Sequence, residues 1–321
     1  MNHSKRFGFT MIELLFVIVI MGIVGGIALE AVRQYYDGIY KAKIYTQRVV
    51  EADFILSKLA KYFENAIDFS IVNLDQDAAD GALVGTCVGD AFVDANTSHD
   101  YTVGFVAVDV DSLHGNGGMP GWSENVPSGF TGTSLSPRDA DLSVADTIIT
   151  ALYPASNLAG SAVYNHEGTD SSCSDFNWDN SGGSSAYYTG NVFTPATNTL
   201  TLIDEFVANG ESYSSGSPSL DKKYLLRTGY AFRALDTGEF VMFTNFRPWR
   251  GERYSNNNAL RTTLGREVAS FYAEFDNTNA HNTRGSMWRL KVCMRGLDSN
   301  LSSSDEAQNA ICRERMVHVR Y

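Results

Sequence analysis

From Phe9 to Leu29 the chain runs for 21 residues with a single charge, Glu13, and from Leu14 to Leu29 it carries none. At about 1.5 Å of rise per residue a helix of this length spans roughly 31 Å, matching a bilayer core of ~30 Å. Lys5 and Arg6 precede the run and favour leaving that end in the cytoplasm, which puts the remaining ~290 residues outside it. An ordinary secretory signal is one alternative, with Gly26-Ile27-Ala28 as its small-residue cleavage site. A plain signal anchor is another. Neither explains the residues that open the run.

Those residues read Lys5-Arg6-Phe7-Gly8-Phe9-Thr10-Met11-Ile12-Glu13-Leu14-Leu15. This stretch resembles the type IV pilin and type II secretion pseudopilin superfamily, whose signal is a short basic leader ending in Gly, then an apolar aromatic and a Glu five residues into the mature chain. The resemblance implies cleavage between Gly8 and Phe9 by prepilin peptidase, N-methylation of Phe9, and retention of the apolar helix. It also implies other pilin or pseudopilin subunits and an inner-membrane assembly platform as partners. The subunit would be single-pass in the inner membrane with a periplasmic head, and later part of a pseudopilus or pilus.

Glu13 invites a physical argument of its own. A carboxylate at the edge of the hydrocarbon is costly and usually has a partner. Cleavage after Gly8 leaves an amine on Phe9, which the Glu13 of an adjacent subunit would neutralise. The simpler reading is that Glu13 complements its own helix dipole, worth about 0.3–1 kcal/mol.

The helix continues to residue 67 but becomes one-sided, with Tyr45, Val49, Ala52, Leu56, Leu59, Phe63 and Ile67 recurring at spacings of three and four. Residues 68–220 are rich in Asp, Gly, Ser and Asn, with candidate strands at Thr102–Val110, Asp146–Tyr153 and Thr199–Val207. This reads as an irregular, solvated, strand-containing insertion. From 221 to 321 period-two patterns are clearer, at Lys223–Leu235, Glu239–Arg247, Arg266–Asp276, Ser286–Arg295 and Glu314–Tyr321. The expected fold is α+β: a leader over 1–8, a helix over 9–67 spanning the membrane at about 9–29, the acidic insertion, and a C-terminal antiparallel sheet. The segment Glu267–Asp276 followed by Trp288, with Leu56–Ile67, resembles J-type minor pseudopilins and PilW-like minor pilins.

Charge narrows the function classes. The chain carries a net −12. Between residues 70 and 220 there are 19 acidic side chains and one basic, Arg138. Such a block repels a polyphosphate backbone, so nucleic acid is not an expected partner. No GxSxG, HExxH, P-loop or strand-to-helix GxGxxG is present, and an enzyme is not expected.

One stretch raises the question of a metal. Asp175, Asn177 and Asp179 alternate as the oxygen ligands of an EF-hand loop do, which suits calcium. The pattern then fails, because Asn180 stands where Gly belongs and Ala186 where a bidentate Glu belongs. Asp and Asn also populate turns to bond their own backbone, and a solvated loop is the expectation here. No other cofactor is implied.

Outside the cytoplasm the cysteines are free to oxidise. Cys293 and Cys312 lie in or beside the last strands, and a bridge closing their loop would stabilise the head by about 3 kcal/mol in the chain-entropy treatment. Cys87 with Cys173 follows by elimination. The alternative is four buried thiols.

The expected function is that of a structural minor subunit of a type II secretion pseudopilus or type IV pilus, assembled through its N-terminal helix. The competing class is a membrane-tethered extracytoplasmic binding or enzymatic domain that uses the helix only as an anchor.

Overall fold

The computed structural model describes residues 10–75, 91–94, 101–115, 117–123, 132–137, 139–153, 156–165, 176, 178, 187–206, 223–235, 237–255, 259–275, 286–296 and 310–320. The chain divides into two compact units, Met1–Val50 and Glu51–Tyr321. One helix, α1 (Met11–Phe63, 53 residues), runs through the boundary.

In the first unit α1 is exposed along most of its length, among the described residues. From Met11 to Leu29 its side chains are exposed and, Glu13 apart, carry no charge, a surface water does not favour. A Cβ at Gly22, Gly25 or Gly26 would meet nothing within 4 Å among the described residues.

In the second unit α1 becomes amphipathic. Ala52, Ile55, Leu56, Leu59, Ala60 and Phe63 are buried, at the three- and four-residue spacings that place them on one face. The helix ends at Phe63 rather than at Ile67, because the next residues are used as extended backbone. Ala66 bridges Ala107, and Ile67 N donates to Val106 O at 2.9 Å.

Thirteen strands are found among the described residues: β1 (Val72–Asp75), β2 (Ala91–Asp94), β3 (Tyr101–Val108), β4 (Gly132–Leu135), β5 (Ala162–Asn165), β6 (Tyr187–Thr194), β7 (Thr199–Phe206), β8 (Lys223–Ala234), β9 (Phe240–Phe246), β10 (Leu260–Gly265), β11 (Val268–Phe275), β12 (Ser286–Met294) and β13 (Ile311–Val319). All pair antiparallel. The larger sheet runs β1-β3-β8-β5-β6-β7-β4, with β9 also on β8 and β10 on β9; the smaller runs β13-β12-β11-β2.

β8 organises the larger sheet. β3 takes one of its edges, while β5 pairs with its first residues and β9 with its last. The changeover is closed by Thr228, whose hydroxyl donates toward Phe246 O at 3.2 Å and accepts from Asn245 N at 2.9 Å. Strands from the acidic block and from the C-terminal hundred residues therefore lie side by side in one sheet.

The main core fills the space between α1 and both sheets. Phe63 packs on Phe105 of β3 with ring centroids 4.7 Å apart, and Phe240 on Phe271 of the smaller sheet at 5.1 Å. Leu290, Val292, Val317 and Val319 complete it from β12 and β13.

Two short helices, α2 (Val110–His114) and α3 (Leu142–Leu152), accompany the sheet. α3 corrects the strand expected at Asp146–Tyr153. The run Thr147-Ile-Ile-Thr150 is β-branched, but Asp141 caps the helix by accepting from Ser143 N at 2.9 Å. Leu142, Ala145 and Ile149 then fall on one face, against Val163, Leu200 and Leu225. Tertiary burial outweighs local β-propensity at this site.

Candidate assembly site at the N-terminus

Helix α1 opens with a reciprocal cap. Glu13 N donates to Thr10 Oγ1 at 3.4 Å, while Thr10 N and Thr10 Oγ1 both donate to Glu13 Oε2, at 3.0 and 3.1 Å. Leu14 N closes the first turn on Thr10 O at 3.2 Å. The residues Thr10-Met-Ile-Glu13 thus form a capping box, in which side chains satisfy backbone donors that a helix leaves unpaired. The motif is legible in the sequence as Thr-x-x-Glu.

The geometry bears on the two readings of Glu13. Within one chain the carboxylate serves its own helix terminus, as the simpler reading has it. Only Oε2 is engaged, however, and Oε1 accepts no hydrogen bond among the described residues. The group therefore retains acceptor capacity at a position where every neighbouring side chain along the helix is apolar and exposed. Gly8 and Phe9, the expected cleavage pair, lie outside the described residues.

Of the other expected sites, Cys293 and Cys312 are joined by a disulfide. They face each other directly across β12 and β13, with Cα atoms 4.0 Å apart. Cys87 and Cys173 lie outside the described residues, as do Asp175, Asn177 and Asp179. The two aromatics between those candidate ligands are described: Phe176 and Trp178 are both buried, in the cluster with Tyr164, Phe246 and Trp249. Among the described residues no group of three His, Cys, Asp or Glu side chains converges to hold a metal ion.

A buried polar cluster in the head was not anticipated. Asp109 caps α2, accepting from Ser112 N at 3.3 Å and Ser112 Oγ at 2.5 Å. Its Oδ1 also accepts from Arg227 Nη1 of β8 at 2.7 Å, and the same nitrogen reaches Asp111 at 2.9 Å. The Arg227 guanidinium lies 5.5 Å from the Tyr153 ring, and the Tyr230 ring lies tilted against that of Tyr62 of α1 with centroids 5.3 Å apart.

Burial pushes the Asp109 carboxyl up from its ordinary value, against the opposing pull of Arg227 and the Ser112 bonds. Burial weighs against the Arg227 charge, but Asp109, followed by Tyr230 and Tyr153, holds that charge above its ordinary range. The cluster ties α2, β8 and the end of α1 together. In sequence it was legible only as Asp109-Val-Asp111 and a lone Arg227, 116 positions further on.

Compared with known proteins, residues 3–29 match the family described as the prokaryotic N-terminal methylation motif. No curated protein and no solved structure matches the chain. The matched segment holds Lys5, Arg6, Gly8, Phe9 and Glu13 and runs into a helix long and apolar enough to cross a membrane. The chain carries a prepilin-type N-terminal signal, consistent with the pilin and pseudopilin superfamily.

Proposed function

We propose that the protein is a structural minor subunit of a type II secretion pseudopilus or a type IV pilus. It is processed between Gly8 and Phe9, methylated on Phe9, and assembled through α1. One observation carries this reading. The methylation motif opens a helix that continues unbroken into the head, where its last turns from Ala52 to Phe63 are core. A detachable signal has no need of that continuity, whereas a filament subunit uses it to transmit assembly contacts to its head.

Before assembly the subunit is anchored by α1 with its head in the periplasm. In the filament the exposed apolar surface of α1 is buried among neighbouring helices, and the free Glu13 oxygen accepts from the Phe9 amine of another subunit. The partners are then other pilin or pseudopilin subunits, prepilin peptidase and the inner-membrane platform. A net charge of −18 over residues 70–220 makes repeated lateral packing of this head unfavourable, which supports a tip position over a shaft position. In this reading the protein performs no turnover and carries no cofactor, and burial accounts for Phe176 and Trp178.

The test is incorporation. Glu13→Ala should be inserted and processed like the parent chain yet be largely lost from sheared filaments or cross-linked pseudopilus complexes. Normal incorporation would overturn the assembly role and favour a helix that acts as an anchor alone.

A further inference from the structure

The smaller sheet turns one face to the core and the other away from it. Phe271, Ala273, Leu290 and Val292 belong to the core. The residues that alternate with them, Tyr272 and Glu274 of β11 and Arg289 and Lys291 of β12, therefore lie on the outward face. Together with Glu314 of β13 they line a cleft of about 260 Å³.

Register builds the cleft from paired strands. Tyr272, Lys291 and Glu314 stand opposite one another in one row, and Glu274 stands opposite Arg289 in the next. The Cys293–Cys312 disulfide lies two residues along from Lys291 and Glu314 and fastens the two strands that carry them. Side chains held on strands are placed more precisely than side chains on loops.

The charges of the cleft are matched internally. Arg289 Nε donates to Glu274 Oε2 at 2.9 Å, and Lys291 Nζ lies 3.1 Å from Glu314 Oε1. Two cations and two carboxylates leave no net charge to attract an ion, and the −12 of the whole chain repels an anion. The cleft thus favours a neutral ligand.

Hydrogen-bonding capacity remains, because a carboxylate has about four acceptor sites and guanidinium and ammonium groups carry several donors each. Lys291 Nζ is also 6.0 Å from the centre of the Tyr272 ring, so an aromatic surface stands beside those donors and acceptors. A ligand that is neutral, rich in hydroxyls and apolar on one side matches this lining, and a sugar ring is all three. Its C–H face stacks on an aromatic ring, while adjacent hydroxyls donate to carboxylates and accept from cationic donors. A volume below the ~300–1,000 Å³ of pockets for drug-sized ligands limits the fit to a small molecule.

We propose that this cleft binds a neutral hexopyranose ring, with Tyr272 as the platform and Glu274, Arg289, Lys291 and Glu314 as the polar rim. The head then has a binding function separate from assembly through α1. A solvated ladder of cross-strand ion pairs would use the same residues without binding anything.

Saturation-transfer NMR on the full chain in deuterated dodecylphosphocholine micelles, which carry no sugar headgroup, separates the two. Methyl β-glucoside, methyl β-galactoside and methyl α-mannoside are offered in turn, with glycerol and glucuronate as controls. At least one glycoside should receive saturation at its ring C–H protons, about fivefold or more above both controls. Tyr272→Phe should keep that transfer, while Tyr272→Ala and Glu274→Gln should each cut it by about fivefold or more.

No transfer to any of the three glycosides would leave an ion-pair ladder and overturn the site. Equal transfer to glycerol would mean polar contact without the platform, and stronger transfer to glucuronate would mean an anion site. Transfer that survives both Tyr272→Ala and Glu274→Gln would place the sugar elsewhere on the chain. Each of these results overturns the proposal and leaves assembly through α1 untouched.

Discussion

Ile55 of α1 occupies the space that any side chain at Gly265 would need: a Cβ built on Gly265 collides with the Ile55 Cδ1 methyl and comes within 3.0 Å of its Cγ1. Beside this contact Arg266 N donates to Glu51 Oε1 at 3.2 Å, so the helix meets the end of β10 through both packing and a hydrogen bond. Ile55 is fully buried and β-branched, which leaves it little freedom to yield. Gly265→Val should therefore destabilise the head by about 1–3 kcal/mol. Thermal melts of the full chain in detergent would show it, and an unchanged midpoint would mean that the helix is free to shift away.

The Asp109–Arg227 pair should show strong coupling. Removing one partner leaves the other charged and buried, so Asp109→Ala should cost about 3–5 kcal/mol. Asp109→Ala combined with Arg227→Met removes both charges and should cost less than the two single changes added together. Denaturant melts of the four proteins supply the cycle; strict additivity would contradict a direct pair.

Tyr164 offers a pH test with a definite sign. Burial, followed by repulsion from Asp68, pushes its phenol from 10.0 up to about 12. The folded chain therefore keeps this proton between pH 10 and 12 while the unfolded chain loses it. Proton binding then favours the folded state, and stability falls as pH rises through that window. Two pK units correspond to roughly 3 kcal/mol at most. Tyr164→Phe should flatten the alkaline limb of a stability-versus-pH curve, and an equally steep limb would assign the loss to other groups.

Chelation tests the acidic stretch at 175–179. Phe176 and Trp178 are buried in the core, which accounts for an alternating polar and aromatic pattern without any ion. Excess EDTA should leave the melting temperature unchanged. A drop reversed by added calcium would establish a site and contradict the loop reading.

How much of this could be read beforehand depended on whether the signal was local. The apolar run and Glu13 are contiguous in sequence and were legible there. Strands β8, β9, β11, β12 and β13 are seven to twelve residues long, which gives them room to show a strand pattern, whereas β10 is shorter and its Leu260, Arg261, Thr262 and Thr263 are all exposed. β1 and β5 are four residues each and take their partners from far along the chain, Val72 from Gly104 and Ala162 from Leu226. Four residues hold too little pattern to betray a strand. α3 stands where a strand is expected because the cap at Asp141, a single residue, outweighs the β-branched run that follows. The Asp109–Arg227 cluster joins residues that only the completed sheet brings together.

The central claim is that α1 stays on the protein after its basic leader is removed, and it is tested most directly at the new N-terminus. The full chain should be produced with a prepilin peptidase, recovered from membranes, and its N-terminal peptide measured by mass spectrometry. The expected peptide begins at Phe9 and carries one added methyl group. A peptide beginning at Met1, or one beginning at Leu29 after loss of the apolar run, would contradict the account.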